Sequence, residues 1–463
     1  MPREANIMMN CQPPGADGES LSRPHFLRLL FRLLDEHDVR YCVLHTYEGL
    51  PDELPSDLDL AVHPRDVAKL RFVFRALADQ GYQPVQCRHH GGGHRFDFVW
   101  FEPEGMRSAG IDVTYDYREH GMILWRGEEL VRGRLQFNGF WVANPAIEFA
   151  YTLAKKALKG TLPQHQAERL KVLVNELGKP QAQRIASELF AERWKERVVD
   201  ACAGSTLGGL LAQLKKELWL TKFKKAPLDP LRYLLGDIPR LIGRALRPVG
   251  LFLVILGPDG VGKSTLVGRL AESLEQAAFT RFRLFHWRPK VIAPHKETGI
   301  PSTDPHDEPP RGVLGSIVVL LGIFLDYWLG YVFVLRPFLV RAGLVIFDRY
   351  FQDLLVDPLR YRYGGPMWLA KLLSRFVPPP DLLFLVLDAE DEVILSRKRE
   401  VPPEELRRQR EGYQQFTRGV ERATLIKTDQ GIEPTVAAAT RFIVEYLTQR
   451  FQRRHARWLA PAR

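Results

Sequence analysis

The chain has 463 residues, of which 45% are hydrophobic and 26% are charged. This composition is ordinary for a soluble globular protein, and the length is enough for two or three domains. The four cysteines match no disulfide or zinc spacing, which excludes a cysteine-based framework and favours a cytoplasmic location. The net charge of +10 suits anionic partners such as nucleotides, phosphosugars, nucleic acid or an acidic membrane surface, without selecting among them.

The first part of the chain predicts an α+β domain at residues 21–160, after a leader. Residues 1–20 have no hydrophobic signal core and predict a disordered leader. Apolar spacing then predicts, in order, helix 24–36, strand 41–46, strand 56–63, helix 66–82, strand 94–101 and strand 110–117.

Three acids in this domain form a candidate metal site. Asp57 and Asp59 alternate with leucines, so on a strand both carboxylates lie on one face. Asp112 lies on the predicted strand 110–117 and offers a third carboxylate. Such a set can hold two Mg²⁺ ions for attack on a nucleotide α-phosphate, although polar positions near a strand end give the same pattern.

Residues 24–160 resemble the nucleotidyltransferase fold, whose motif is a small Gly-Gly or Gly-Ser turn, then D-h-[DE]-h and a later acid. By this resemblance Asp57, Asp59 and Asp112 would be metal ligands. The chain departs from the motif at the turn, where His45-Thr46 stands in place of the glycine pair. This departure puts triphosphate binding at the turn in question.

A helical region follows. Residues 145–160 predict a helix with Lys155 and Lys156 side by side. The nucleotidyltransferase family often has a lysine after its third acid, but we prefer the interpretation of a solvated basic face. Residues 161–247 predict a helical connector. Its last part, residues 222–248, is basic and interrupted by prolines; it could lie on a membrane surface, but an interdomain connector is the commoner explanation.

A phosphate-binding loop begins the second domain, which we place at residues 248–463. Gly257, Gly262, Lys263 and Ser264 satisfy the pattern G-x-x-x-x-G-K-[ST] between an apolar run and a helical pattern. Such a loop points backbone N–H groups at phosphate oxygens, while its lysine bridges the phosphates and its Ser hydroxyl binds Mg²⁺. The predicted nucleotide-binding residues are Gly257, Pro258, Asp259, Gly260, Val261, Gly262, Lys263, Ser264 and Thr265.

Apolar runs alternate with helical patterns through this domain. The runs at 251–256, 282–287, 343–348, 381–388 and 423–428 predict a parallel sheet covered by helices on both faces, an α/β fold. Asp348 ends one buried strand, where it can hold Mg²⁺ directly or through water. Arg349, next to it, could bind an anionic acceptor.

Residues 250–450 resemble thymidylate kinase and related nucleoside monophosphate kinases. The matching motifs are GPDGVGKST, Arg288-Pro289, Asp348-Arg349-Tyr350, PDLLFLVLD and the helix EELRRQREGYQQF. The resemblance implies that ATP and Mg²⁺ bind at Lys263 and Ser264, and that Asp259 and Arg349 face the acceptor. It also implies that Arg397 and Arg399 are lid arginines, for which a solvated helix end is the alternative, and it allows a homodimer.

One departure from this family concerns the acceptor. The helix before the Asp348 strand carries Asp326 and no arginine until Arg336, whereas the family has an arginine there that binds the acceptor phosphate. We therefore expect an altered acceptor, such as a hydroxyl on a sugar or glycolipid, with Asp348 or Asp259 as general base. The tandem order of domains also resembles bacterial proteins often found with surface-polysaccharide synthesis.

Three functions stay open from the residues. The first is an ATP-dependent phosphotransferase acting on a nucleoside monophosphate or on an altered acceptor. The second is a Mg²⁺-dependent nucleotidyltransferase in the N-terminal domain, and the third is a nucleotide-responsive switch. No nucleic-acid recognition motif supports a nucleic-acid partner.

A long apolar segment raises the question of a membrane. Residues 313–335 would span a bilayer in length, but the central Asp326 makes a buried or surface-lying helix the preferred prediction. We expect a cytoplasmic protein, with peripheral membrane association left open.

Overall fold

The computed structural model describes residues 20–53, 57–119, 121–292, 309–380, 383–398, 401–420 and 423–456. Residues 1–19 of the predicted leader lie outside the described residues. The chain divides into two compact units. The N-terminal unit holds the described residues of 14–102, 107–241 and 451–463, and the P-loop unit holds those of 103–106 and 242–450.

The first part of the chain builds a sheet followed by a group of helices. In order the elements are α1 (Arg23–Glu36), β1 (Tyr41–Val43), β2 (Leu58–Val62), α2 (Leu70–Asp79), β3 (Gln83–His90), β4 (Gly93–Glu102), β5 (Gly105–Thr114), β6 (Asp116–Glu119), β7 (Met122–Arg126), α3 (Gly127–Leu130), β8 (Leu135–Phe137), β9 (Phe140–Val142), α4 (Pro145–Lys159), α5 (Gln164–Leu177), α6 (Lys179–Phe190), α7 (Lys195–Ala203) and α8 (Leu211–Lys225). Short 3₁₀ helices lie at Pro64–Lys69, Glu192–Trp194 and Leu207–Leu210.

A mixed sheet with the strand order β3-β4-β5-β2-β1-β9-β8 forms the centre of this unit. β2 and β5 run parallel, and their register places Asp59 opposite Asp112. The predicted strand 110–117 ends early, because the N–H groups of Tyr115 and Asp116 both donate to the Gly92 carbonyl. β6 and β7 then pair with each other as a separate hairpin.

The helices after β9 share a hydrophobic core. α4 to α8 contribute buried side chains to one cluster, among them Leu153, Leu170, Leu173, Leu214 and Leu218. Helical stripes of this kind bury against neighbouring helices because single helices of this length are marginal in water. Residues 164–225 are therefore packed helices of the N-terminal unit.

The rest of the chain alternates strands and helices. The elements are α9 (Asp229–Leu246), β10 (Leu251–Leu256), α10 (Lys263–Ala277), β11 (Arg281–His286), α11 (Val313–Gly330), α12 (Arg336–Val340), β12 (Gly343–Asp348), α13 (Phe351–Val356), α14 (Met367–Ser374), β13 (Leu383–Asp388), α15 (Asp391–Arg397), α16 (Pro403–Gly419), β14 (Ala423–Lys427) and α17 (Ile432–Arg454). A π-helical turn, Tyr331–Leu335, joins α11 to α12.

The predicted parallel sheet is confirmed in the P-loop unit. Its strand order is β11-β12-β10-β13-β14, and each neighbouring pair runs parallel. Every residue of β10 is buried, as expected for a strand covered on both faces. The carboxyl ends of β10, β11 and β12 meet at one edge, which brings the loop after Leu256 beside His286 and Asp348.

In the described part of the chain, one helical run, Val313–Val340, is long and apolar enough to cross a bilayer. Length and composition alone are weak evidence, because core helices pass the same test. Asp326 is fully buried and its carboxylate accepts hydrogen bonds from the N–H groups of Val291 (2.6 Å) and Ile292 (2.9 Å). One face of α11 therefore packs into the protein, through Leu320, Ile323 and Tyr327.

Candidate active site

The loop after β10 has the conformation that its glycines permit. Gly257 and Gly262 adopt φ angles of 144° and 102°, which disfavour residues with a side chain. A Cβ atom at Gly257 would also lie only 2.7 Å from the Leu387 carbonyl oxygen. Lys263 and Ser264 then begin α10, so the loop leads directly into a helix N-terminus.

Lys263 lies folded back into this loop. Its ammonium donates hydrogen bonds to the carbonyls of Gly257 (2.9 Å) and Pro258 (2.8 Å), and the side chain is buried. Burial, aided by the positive charge of Arg349, lowers the pKa of Lys263 to about 8. The lysine is therefore a cation at neutral pH, held by groups that can be exchanged for phosphate oxygens.

Asp348 has the properties of a metal ligand. Its Oδ1 atom is buried and has no hydrogen-bond partner among the described residues, while Oδ2 lies 3.6 Å from His286 Nδ1. Burial raises the pKa of Asp348, but the nearby His286 and the charge of Lys263 outweigh burial and lower it. An ionised carboxylate with an unused oxygen fits a Mg²⁺ ion, and the exposed Ser264 at the start of α10 offers a hydroxyl as a second ligand.

One acid of the loop, Asp259, forms a cluster with two arginines. The Asp259 carboxylate accepts hydrogen bonds from Arg349 and Arg360, and Lys263 Nζ lies 3.4 Å from its Oδ1. Arg349 is buried, whereas Arg360 comes from the loop after α13 and is about one-fifth exposed. Sequence reasoning did not identify Arg360, since no motif marks it.

A further acid positions Arg349. Asp353 is fully buried and accepts hydrogen bonds from Arg349 Nη1 (2.7 Å), from the Tyr361 hydroxyl (2.6 Å) and from the Tyr413 hydroxyl. The Tyr361 ring stacks on Trp287, with centroids 4.2 Å apart. Asp353 was also missed, because Arg349 precedes α13 with a φ angle of 72°, so helical spacing does not predict that the two side chains meet.

The segment after α15 lies against the phosphate loop. A side chain at Gly260 would meet the Cβ of Lys398 at 3.1 Å. Arg397 points elsewhere, since it donates to the Thr428 carbonyl at 3.2 Å, and Arg399 lies outside the described residues. A cleft here is lined by Asp259, Arg360, Ile394, Leu395, Lys398, Val401, Leu406 and Gln409. The lid roles of Arg397 and Arg399 stay predictions.

The turn at Arg288-Pro289 docks on α11. Pro289 lies so close to Gly330 that any side chain there would collide with its ring. The Asp326 carboxylate accepts a hydrogen bond from the backbone N–H of Lys290 (2.9 Å), and Arg288 Nη1 lies 3.6 Å from Asp326 Oδ2. Asp326 thus fixes this turn from the inside of the unit.

The prediction that Lys155 and Lys156 form a solvated basic face is wrong. They are only 9% and 5% exposed, because α4 presents them to the sheet. Lys155 Nζ lies 2.8 Å from Asp59 Oδ1 and 2.9 Å from His45 Nε2, and His45 Nε2 lies 3.1 Å from Asp59 Oδ2. Burial and the charges of Lys159 and Lys155 lower the pKa of Lys156 to about 8.

The other two predicted metal ligands also contact basic side chains. Asp57 pairs with Arg95, and Asp112 Oδ1 lies 2.6 Å from His90 Nε2. No group of three or more His, Cys, Asp or Glu side chains is arranged to hold a metal ion among the described residues. Since Lys155 lies where a cation beside Asp59 would bind, the metal role of Asp57, Asp59 and Asp112 stays a prediction.

The turn before these acids keeps a glycine-like conformation. Thr46 has a φ angle of 56°, which is unusual for a β-branched residue. Its hydroxyl lies 2.6 Å from His45 Nδ1. The backbone of His45-Thr46 thus turns sharply without the glycine that the nucleotidyltransferase motif has.

Comparison with known proteins identifies relatives of part of the chain. No family model matches. The thymidylate kinase of Xanthomonas euvesicatoria is 31% identical over 157 residues, which cover 33% of this chain and 63% of that protein. Thymidylate kinases of Xanthomonas oryzae and Xanthomonas campestris match over the same extent, at 31% and 32% identity. The chain thus spans 63% of these relatives' length, and a third of it is homologous to thymidylate kinases.

Solved structures of thymidylate kinases are also similar. The Candida albicans enzyme matches with a TM-score of 0.32 and 16% identity, over 42% of this chain and 92% of that one. The Ehrlichia chaffeensis enzyme matches with a TM-score of 0.28 and 18% identity, over 44% and 99%. TM-scores below 0.5 do not by themselves establish a shared fold.

Proposed function

We propose that the P-loop unit is an ATP-dependent phosphotransferase related to thymidylate kinase. The observation that carries the proposal is the position of the Asp259, Arg349 and Arg360 cluster directly beside the phosphate-binding loop. A nucleotide site on one side and a fixed pair of arginines on the other are what transfer between two anionic substrates requires. The homology to thymidylate kinases over a third of the chain supports the same reaction.

On the donor side, the backbone N–H groups of the loop and Lys263 would bind the ATP phosphates. Ser264 and Asp348 would hold Mg²⁺, which when bound neutralises charge on the phosphate oxygens. Lys263 would leave the carbonyls of Gly257 and Pro258 for the phosphates, an exchange of neutral acceptors for charged ones.

On the acceptor side, Arg349 would bind and orient an anionic group. Asp353 keeps the guanidinium of Arg349 in one orientation, so little freedom is lost when substrate binds. Arg360 adds a second positive charge from a different loop. A nucleoside monophosphate is the first candidate acceptor, because the curated relatives are thymidylate kinases.

A hydroxyl-bearing sugar or lipid is the second candidate acceptor. Asp326 supports this candidate. It lies on α11, the helix in which thymidylate kinases would be expected to have an arginine for the acceptor phosphate. Its carboxylate already accepts hydrogen bonds from the backbone of residues 290–292. A hydroxyl acceptor needs a general base, and Asp259, a residue of the phosphate-binding loop, is the candidate for this role.

A nucleotidyltransferase activity in the N-terminal unit is the alternative. The parallel pairing of β2 and β5, which sets Asp59 opposite Asp112, favours it. Lys155 would have to leave Asp59 before a metal ion could bind there. This alternative therefore predicts an activity that depends on Asp59 and not on Lys263.

The test is phosphoryl transfer from ATP by the full chain, with products identified by mass spectrometry. The acceptors are thymidylate, other nucleoside monophosphates, simple sugars and a lipid extract. We expect the wild type to transfer phosphate to at least one acceptor. Lys263→Ala should abolish this activity, and the double variant Asp57→Asn/Asp59→Asn should retain it. A nucleotidylated product with release of pyrophosphate, retained by Lys263→Ala and lost in the double variant, would assign the chemistry to the N-terminal unit. ATP binding without any transfer would indicate a nucleotide-responsive switch.

A further inference from the structure

Helix α9 presents an apolar face to solvent. No residue of α9, the whole of which is described, is buried. Its apolar side chains are between 46% and 62% exposed at Leu231, Leu234, Leu235, Ile238 and Leu241. At 100° per residue these positions fall within one sector of the helix, which makes a continuous apolar stripe.

Residues 229–241 of α9 belong to the N-terminal unit, and their polar face is turned toward the rest of that unit. Asp237 and Arg240 form an ion pair in which each side chain is only 14% exposed, and Arg240 Nη1 donates to the His89 carbonyl at 3.2 Å. Tyr233 lies against Gly91, where a side chain would meet the Tyr233 hydroxyl at 2.5 Å. A surface helix normally buries its apolar face and exposes its polar one, so α9 has the inverse orientation.

The residues before α9 include further exposed apolar side chains, two of which are aromatic. At the end of α8, Trp219 and Phe223 stack with centroids 4.9 Å apart, and both are more than one-third exposed. Leu228 follows at 58% exposure. Aromatic rings beside a leucine stripe are typical of segments that lie at a membrane–water interface.

The exposed charged residues in the segment 222–247 are all basic. Lys224, Lys225 and Arg232 are exposed, whereas the two acids of residues 222–247, Asp229 and Asp237, are partly buried. An apolar stripe flanked by exposed basic residues complements a surface with an apolar interior and anionic headgroups. The polar contacts of Asp237 and Arg240 exclude a bilayer-spanning position for the helix.

We propose that α9 is a peripheral membrane anchor that lies in the plane of an anionic lipid bilayer. Its stripe, Leu231, Leu234, Leu235, Ile238 and Leu241, enters the boundary between headgroups and acyl chains. Trp219 and Phe223 lie at headgroup level, and Lys224, Lys225 and Arg232 contact anionic lipid. This proposal does not depend on the activity of the P-loop unit.

The experiment is co-sedimentation of the full chain with vesicles of phosphatidylcholine, with and without phosphatidylglycerol. We expect binding that requires phosphatidylglycerol and weakens with salt. The variant Leu231→Gln/Leu235→Gln/Ile238→Gln should lower the binding constant by about tenfold or more, through loss of apolar contact with the acyl chains. Lys224→Gln/Lys225→Gln should lower it by about fivefold per lysine.

The matched control is Leu135→Gln/Val172→Gln. Both residues are exposed apolar side chains elsewhere in the same unit, at 49% and 44%. This control should bind vesicles like the wild type. Circular dichroism and elution volume identify any variant that fails to fold.

Amide hydrogen exchange of the wild-type chain is the second readout and needs no variant. We expect residues 229–241 to gain protection when phosphatidylglycerol vesicles are added. Absence of vesicle binding, equal binding by the triple variant, or no gain in protection would each overturn the proposal. If the wild type self-associates without lipid and the triple variant is monomeric by light scattering, a second copy covers the stripe and the proposal fails.

Discussion

Arg349 Nη1 and Asp353 Oδ2 lie 2.7 Å apart in a part of the P-loop unit where both side chains are almost completely buried. Arg349 follows the end of β12 and Asp353 belongs to α13, so the pair connects the strand end to the next helix. The same guanidinium reaches Asp259 in the phosphate-binding loop. The pair therefore determines where Arg349 points, the arginine that we propose binds the acceptor.

Asp353→Asn should weaken both stability and acceptor binding. The variant removes the fully buried counter-charge of Arg349 and leaves this arginine paired with the more exposed Asp259. Breaking a buried pair costs about 3–5 kcal/mol. We expect a loss of this order in the free energy of unfolding of the P-loop unit, measured with urea, and a higher KM for the acceptor in whatever fraction stays folded.

Glu433→Gln is the control for Asp353→Asn. It removes the partner of Arg269 from an ion pair in which both side chains are at least half exposed. Exposed pairs contribute about 0–1 kcal/mol, so this variant should be close to wild type. Equal effects of the two variants would contradict a special role for Asp353.

The affinity for ATP should depend on pH through Lys263. Burial lowers the pKa of this ammonium to about 8 in the free protein, and ATP binds the protonated form. Affinity should therefore be full below pH 8 and fall as pH rises above it, by at most about tenfold per pH unit for one proton. Titration calorimetry between about pH 6.5 and about pH 9.5, roughly 1.5 units on either side of the pKa, measures the affinity for ATP as a function of pH.

Lys263→Arg provides the comparison for that titration, because an arginine stays charged throughout the range. We expect weaker binding whose pH dependence above pH 8 has disappeared. If the wild type binds ATP equally at both ends of the range, Lys263 does not supply the charge that holds the phosphates.

Asp348→Asn should lower kcat by about 10²–10³-fold and raise the Mg²⁺ concentration needed for half-maximal rate. The amide keeps the shape of the side chain but removes the charge and replaces one of the two acceptor oxygens with an NH2 group, which cannot bind Mg²⁺. Initial rates across a Mg²⁺ series separate the two effects. An unchanged Mg²⁺ dependence would show that Asp348 does not help to hold the metal.

Lys155→Met should destabilise the N-terminal unit by about 3–5 kcal/mol near pH 8, since it removes the ammonium that pairs with the buried Asp59 and leaves the carboxylate paired with His45. Burial, with the charge of Lys155, lowers the pKa of His45. Without Lys155, His45 can protonate and pair with Asp59, so the loss should be smaller near pH 6 than near pH 8.

The same cluster sets the acid sensitivity of the wild-type unit. Although burial alone raises the pKa of Asp59, Lys155 and His45 lower it well below its usual range. A carboxylate with a lowered pKa stabilises the fold above its unfolded value of about 3.9, and this stability is lost as pH falls. Lys179→Met, in an exposed pair with Asp200, should change neither property.

The sequence predicted the parallel sheet and the phosphate-binding loop because both are local patterns. Runs such as LFLVIL bury every residue, and Gly257 and Gly262 mark backbone conformations that other residues avoid. Asp348 was predicted for the same reason, since it ends a recognisable buried strand.

The residues that were not predicted from the sequence contact partners that are far away along the chain. Arg360 donates a hydrogen bond to Asp259, 101 residues away, and the Tyr413 hydroxyl donates one to Asp353, 60 residues away. Lys155 was misread because the helical pattern of α4 does not show which face the sheet covers, and its contact to Asp59 spans 96 residues. Such contacts depend on how strands and helices pack, which spacing alone does not encode.

The most direct test of the central claim is the rate of γ-phosphoryl transfer from ATP to thymidylate by the full chain, beside Lys263→Ala and Arg349→Ala. If the P-loop unit is a nucleotide-dependent phosphotransferase, the wild type forms a phosphorylated product. Lys263→Ala then abolishes transfer, and Arg349→Ala raises KM for the acceptor. Product formation that neither variant changes would contradict the account, because the reaction would then take place away from the phosphate-binding loop.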